Sequence, residues 1–567
     1  MIVFDLPHIL LYLLVVIYFV SLPGIFKKAG YEKPIHGYVP IYNLLILLKL
    51  MKKPWWWILL MCIPGVNFLM LLILNVNVSF SFGKRKFTDA IIAIVIPHYI
   101  VLSASFQEKM TWTGPLIWKS KKEKGLIREW GDALLFAIVA AGIIRGFFFE
   151  AFTIPTGSME KDLLIGDYLF VNKIAYGPKL PQTPLAVPFF HNNIPGTYTK
   201  SYLHWFGMDY HRLPGYTDVE RNDIVVFNYP AGDTALLGRN KRGDELQGHN
   251  YYQFLRDEAF YLCNCSAEQF EQDRDKYYAQ ARENLLVKNT MTHTFFVDDY
   301  NRRVADPTKF EGWIERPTDK KENYIKRCVG IPGDSLEIIN GKLFVNGEDA
   351  YLDENAQYNY NVIANRIFDD RIKTSLKEKF DINPSEISIN YSNGAMRIPM
   401  SMKAYDEFSK LGYVDSIWVD WKQKGYYNNP DVMKYNYMQI FPNDLITKDW
   451  TEDNMGPWYL PKAGDEIELN KFNAIFYRRA IESYEKNKYR IDGDNVYING
   501  QLANTYTFKM NYYWLMGDNR HNSLDSRMWG YVPEDHVVGK AAFIWFSKDN
   551  EAGHEGVRWN RIFQSAH

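Results

Sequence analysis

FFFEAFTIPTGSMEKDLLIGDYLFV, from Phe147 to Val171, changes character twice. An aromatic run ends in the small polar tetrad Pro155, Thr156, Gly157, Ser158, and apolar residues typical of a strand follow. The stretch marks where a strongly apolar part of the chain gives way to a β-rich one, and it places a serine at the junction.

Outward from it, the composition agrees with two unlike parts. Hydrophobic residues make up 47% of the 567, yet mean hydropathy is −0.29, so an apolar portion is averaged with a larger polar one. The balance of 65 basic against 66 acidic residues gives no reason to expect nucleic acid as a partner. On the N-terminal side, His8 to Phe26, Pro54 to Phe80 and Phe87 to Phe106 are apolar runs near the roughly 20 residues of a membrane-spanning helix. Ala133 to Phe149 is a shorter one. Pro64 and Gly65 in the second run fit either a kinked helix or a re-entrant hairpin, so three and four spans both remain open. The first run is read as a span and not as a cleaved leader, because MIVFDLP carries Asp5 and no Lys or Arg.

Basic flanks predict orientation, since positive loops near membrane ends stay cytoplasmic. KSKKEKGLIREW, Lys119 to Trp130, is the densest flank and puts the chain after about Glu150 outside. Lys27, Lys28, Lys33, Lys52 and Lys53 mark the loop after the first span as internal, while Lys84, Arg85 and Lys86 conflict with a four-span arrangement.

The C-terminal side reads mostly as β. Asp223 to Pro230, Tyr324 to Gly347 and Asp494 to Phe508 are β-branched or aromatic runs, the last two punctuated by Asn-Gly, a hairpin signal. Two inserts, about 231–322 and about 351–459, are rich in charged residues and Tyr, with helical-looking stretches near Ser266 to Leu285 and at Glu482 to Tyr489 beyond them. No chemistry is assigned to either insert. Of the four cysteines, Cys263 and Cys265 are read as separate thiols, because a bridge across so short a loop strains its geometry. No zinc pattern emerges.

Ser158 alone reads first as a turn residue. Gly157 permits a backbone that exposes the next side chain, but serine is a weak nucleophile until a base takes its proton. Twelve histidines are scattered, without a GxSxG elbow. Lysine serves as a base where burial lowers its pKa, and YIKRCVG offers Lys326, on one strand face with Tyr324 and Cys328. A solvent-facing strand lysine is the other reading, and the residues alone leave both open.

RGFFFEAFTIPTGSM, LLIGDYLFVNKIAYG, RNDIVVFNYP, YIKRCVGIPGD and MGDNRHNSLDSRMWGYVP together resemble, in order, the boxes of bacterial type I signal peptidases. The resemblance implies a multi-span α-helical membrane anchor followed by a mainly β extracytoplasmic catalytic domain with α/β inserts. The implied boundaries are 1–110 for the N-terminal membrane region, 111–130 for a basic cytoplasmic loop, 131–150 for the last transmembrane helix and 151–567 for the catalytic domain. It implies Ser158 as nucleophile and Lys326 as general base, Thr156 and the Ser158 N–H as oxyanion hole, and Ser523 as the group that orients the lysine. Asp518, Arg520, Asp525 and Arg527 match supporting positions. Shallow pockets for small side chains map to Phe152, Ile154, Pro155, Leu163, Val226, Tyr324 and Ile325. His521 falls where the family varies and is given no catalytic part.

The implied reaction removes signal peptides from secretory preproteins at the outer face of the bacterial inner membrane, beside lipid and near the secretion translocon, with no metal or cofactor. Three other readings stand beside it. SMEK, Ser158 to Lys161, matches the SxxK of penicillin-recognising acyltransferases, but SDN and KTG elements are absent. LexA-like repressors share Ser-Lys chemistry but carry a DNA-binding module in place of spans. The outer domain as a non-catalytic binding module is the third.

Overall fold

A computed structural model describes residues 6–566 apart from 62, 64–65, 117–125, 188–189, 193, 195–199, 204–206, 231–233, 239–250, 264, 266, 285–294, 298–302, 306–309, 352, 367, 384–385, 390–394, 429–439, 443 and 550–555. The chain divides into two units, Met1–Phe148 with Leu180–Tyr210 and Asn240–Asp244, and Phe149–Lys179 with His211–Arg239 and Glu245–His567. Sequence reading did not set Leu180–Tyr210 apart from the β-rich part.

The first unit is helical: α1 (Leu6–Lys28), α2 (Tyr42–Leu50), α3 (Val66–Ser81), α4 (Phe87–Val95), α5 (Pro97–Phe106) and α6 (Leu126–Ile143). Leu22, Ile25, Phe26, Leu47, Leu74, Val78 and Val101 fill its core. Helices α1 and α5 approach at Gly24, where any Cβ would overlap Ser105. Among the described residues no single helix is long and apolar enough to cross a membrane, and α4 with the rest of α5 from Tyr99 passes that test only as a pair bent by 105°. The break lies at Ile96, whose φ of −128° and ψ of 64° leave the helical region, as the residue before a proline is driven to do. The Ala133 to Phe149 run likewise ends α6 at Ile143, passes through a π turn at Ile144–Phe148 and is already strand at Phe149. Pro64, Gly65, Cys62 and most of the Lys119 to Trp130 flank lie outside the described residues.

The second unit is built on an antiparallel sheet of β1 (Phe149–Thr153), β2 (Asp167–Asn172), β3 (Ile224–Asn228), β4 (Asn323–Gly330), β5 (Tyr512–Met516), β6 (Val532–Pro533) and β7 (Val537–Asp549). Their order is β1-β2-β7-β3-β4-β5-β6, with Gly556–Val557 beside β7. Side chains of a strand alternate between faces, and β3 is buried on both. Ile224 and Val226 join Ile154, Leu163, Leu169 and Ile544, while Val225 and Phe227 join Cys328, Leu515, Trp529 and Val537. A central strand with no wet face explains the unbroken apolar run IVVF.

The Asn-Gly signals form turns as predicted. Asn340 and Gly341 (φ 48° and 72°) join strands 335–339 and 342–345, and Asn499 and Gly500 (φ 53° and 83°) join 495–498 and 501–502. Positive φ at both central residues matches the twist of a two-residue hairpin.

Between β3 and β4 the chain forms a strand pair, Thr234–Gly238 with Phe310–Glu315, and helices α7 (Tyr251–Cys263), α8 (Ala267–Gln272) and α9 (Arg274–Arg282). Helices at Ser266 to Leu285 agree with the sequence, whereas Glu482 to Tyr489 holds only the end of a helical segment before strand 489–492. Cys263 and Cys265, predicted as separate thiols, are paired as a disulfide, their Cα atoms 5.1 Å apart. The turn at the end of α7 brings them within the span of a bridge. Between β4 and β5, strands 388–389, 396–401, 357–364 and 414–419 form a sheet that packs with helices 370–380 and 402–408 around Tyr358, Val362, Leu376, Ile398 and Phe408.

Candidate active site

Strand β1 delivers the chain to buried Ile154, and after Pro155 and Thr156 a short turn, Gly157–Met159, carries Ser158. Met159 is fully buried and pins the turn to the core under β3. Gly157 does not have a positive φ. It matters through space, since a Cβ there would stand 3.0 Å from Glu160 Oε2.

Lys326 lies opposite Val225 in the middle of the sheet. It is 3% exposed, and its Nζ lies 2.5 Å from Ser158 Oγ, in hydrogen bond. Burial pushes its pKa down to about 8, with Arg527 acting in the same direction and Asp525 and Asp518 opposing. Desolvation penalises the ammonium and leaves the neutral amine, a proton acceptor, accessible near neutral pH. From the sequence, Lys161 of SMEK is the poorer base, because Glu160 and Asp162 on either side favour its protonated form. Its Nζ pairs with Asp381 Oδ2 at 3.1 Å.

A loop after β5 closes over the turn. Asn519 donates from its backbone N–H to Ser158 O (3.1 Å) and from Nδ2 to Gly157 O (3.2 Å). Gly517 makes that approach possible, because a Cβ on it would stand 2.5 Å from Ser158 O and overlap Ser523 Oγ. Asp518 is gripped by Arg327, Nε to Oδ1 at 2.9 Å and Nη2 to Oδ2 at 3.0 Å, and Arg327 also pairs with Asp162. Asp525 accepts from Arg527 Nε (2.9 Å) and Nη2 (2.8 Å) and from the Gly517 N–H (3.1 Å). Burial works against its charge, but Arg527 and these donors hold the Asp525 carboxyl below the usual carboxylate range.

The structure thus brings Ser158, Lys326, Ser523, Asp518, Asp525 and Arg527 into one locality. Ser523 Oγ is buried, and its hydroxyl helps to favour the charged Asp525 carboxylate. Arg520 departs from the charged pairing of its neighbours. Its Nη1 meets Met516 Sδ at 3.6 Å, and its carbonyl accepts from Arg527. Thr156 is exposed, on extended backbone (φ −133°, ψ 152°) at the mouth of the turn. Phe152 and Ile325 pack against the cluster of Ile154, Leu163 and Val226, and Pro155 is exposed beside it. Tyr324 is separate, stacked on Tyr229 with centroids 4.8 Å apart and edge-on to Trp529. His521 bonds Asp453 Oδ1 at 2.9 Å and accepts from the Asn359 N–H at 3.1 Å, so it ties the loop to the second insert.

Asn519, Gly517, Arg327 and Asp162 were not singled out from sequence. The first three stand inside the quoted boxes GDNR and YIKRCVG, so their position was a usable signal; Asp162 carried none.

A family model described as Signal peptidase, peptidase S26, matches residues 127–246, 280–389 and 463–546. A model described as a family of unknown function matches 35–115. The chain is 40% identical over 434 residues to Signal peptidase I of Buchnera aphidicola subsp. Schizaphis graminum, covering 74% of this chain and 76% of that protein. It is 33% identical over 452 residues to Signal peptidase I of Haemophilus influenzae, covering 78% and 79%.

Proposed function

The chain belongs to the signal peptidase I family and is a serine peptidase that removes signal peptides, and from that premise we propose that Ser158 and Lys326 carry the reaction as a dyad. The observation that carries the assignment is the buried contact of 2.5 Å between Lys326 Nζ and Ser158 Oγ. Neutral Lys326 takes the proton as Ser158 Oγ attacks the scissile carbonyl. The tetrahedral oxyanion is met by the Ser158 N–H and the Thr156 hydroxyl, which stands exposed at the mouth of the turn where a substrate carbonyl would enter. The Lys326 ammonium returns the proton to the departing amine, whose C–N bond breaks, and a water deprotonated by the same amine releases the acyl group from Ser158.

Ser523 stabilises the lysine when its buried hydroxyl rotates toward Nζ. Asp518, Arg520, Asp525 and Arg527 hold the loop that presents Asn519 and Ser523. Small side chains before the cut fit the apolar surface of Phe152, Ile154, Pro155, Leu163, Val226 and Ile325. The enzyme works on preproteins at the extracytoplasmic face of the bacterial inner membrane, held there beside lipid by its N-terminal apolar helices and near the translocon. The test is cleavage of a model preprotein by the purified full chain. Wild type should cut and Ser158→Ala should not; cleavage by Ser158→Ala would refute the nucleophile.

A further inference from the structure

The second insert enters the fold directly beside the Ser158 turn. Asn355 Nδ2 donates to Asp162 Oδ1 at 2.8 Å, Asp353 Oδ2 lies 3.4 Å from Arg327 Nη2, and the Gln357 N–H donates to Asp518 O at 2.8 Å. Asp162 stands four residues after Ser158 in the chain, and its other carboxylate oxygen is held by Arg327, the neighbour of Lys326. A closed circuit results, running from Ser158 along its own turn to Asp162, through Arg327 to Asp518 and Asn519, and back to the Ser158 carbonyl.

We propose that the first turn of the second insert, through Asn355 and Asp353, is a positioning element of the peptidase that holds Asp162 and Arg327 in one arrangement and so sets the Ser158 turn against Lys326. The proposal rests on the Ser158–Lys326 assignment. Three carboxylates, Asp162, Asp353 and Asp518, converge on the single guanidinium of Arg327. The remaining charged neighbours are committed elsewhere. Lys161 pairs with Asp381, and Arg561 Nη2 donates to the Asp162 carbonyl at 2.7 Å while pairing with Asp167. Burial, and next Asp518, push the Asp162 pKa up to about 7, against Arg327 and Asn355. The charge that fastens Asp162 to Arg327 is therefore lost on mild acidification, and this gives the role a signature that structural support alone would lack.

The full-length chain in detergent is assayed on a model preprotein at saturating substrate from pH 5 to 9, as wild type, Asp162→Asn and Asn355→Leu, with thermal unfolding of each. Wild type needs both ionised Asp162 and neutral Lys326, so log kcat rises with a limiting slope of about two at the acid end. Asp162→Asn keeps an acceptor for Arg327 but has no proton to lose. Its slope falls to about one and its kcat by roughly tenfold, a misplacement effect, with KM nearly unchanged. Asn355→Leu removes the donor that favours the charged form, so its lower ionisation moves to higher pH. A slope of one in wild type, or wild-type kcat and pH profile in folded Asp162→Asn, overturns the proposal. If Asn355→Leu does not fold, the wild-type slope and Asp162→Asn decide. Cleavage by Lys326→Ala would instead sink the dyad itself, a result these slopes cannot mimic.

Discussion

Arg327 grips Asp518 with two parallel hydrogen bonds of 2.9 and 3.0 Å, so the strand that carries the base also anchors the loop that holds the nucleophile turn. Asp518 is fully buried and Arg327 is 3% exposed. Such a pair is costly to break from one side, because the partner remains as an uncompensated charge. Arg327→Met should lower stability by about 3–5 kcal/mol, read from the urea midpoint with m unchanged. A loss under about 1 kcal/mol would show that the fork does not anchor the loop.

The Lys326 pKa, pushed down to about 8 by burial, sets the direction of the pH dependence. The amine loses its proton as pH rises through about 8, and only the neutral form accepts from Ser158, so cleavage rises with pH there and levels off above it. Lys326→Ala should abolish cleavage. Lys326→Arg should do the same, since guanidinium stays protonated, while Lys161→Ala should retain most activity. Activity that falls as pH rises from 7 to 9 in folded protein would contradict the assignment.

Thr156 meets the reaction through its hydroxyl alone. Thr156→Val, equal in shape but without the donor, should reduce kcat by roughly 10² to 10³, and Thr156→Ser should keep most of it. Unchanged kcat in the valine variant would mean that other groups build the oxyanion hole.

Gly517 tests the fit of the loop over the turn. A methyl there would overlap Ser523 Oγ and press on the Ser158 carbonyl. Gly517→Ala should cut kcat by about 10²-fold with far-UV circular dichroism intact. Normal turnover would show that the loop moves aside without consequence.

Much of this was legible in the sequence because it is local. Hairpin turns at Asn340-Gly341 and Asn499-Gly500 follow from the positive φ that these residues tolerate and two-residue turns demand. The run IVVF at Ile224–Phe227 announces a strand without a wet face. The serine and lysine could be named from their boxes. Tertiary structure decided the rest. Ser158 and Lys326 are 168 positions apart, and no periodicity states that their atoms meet or that Lys326 rather than Lys161 is desolvated. The acidic neighbours Glu160 and Asp162 already counted against Lys161 in the sequence, and folding adds a partner for it, Asp381 from the second insert. The Phe87 to Phe106 run satisfied the length rule for a membrane span, but the chain bends at Ile96 within it, because composition measures how apolar a segment is and not where its helix must stop. Asp162 had no signal at all. Its part depends on Arg327, Asn355 and Asp353 arriving from distant segments, and a charge acquires its meaning only from the groups that folding places around it.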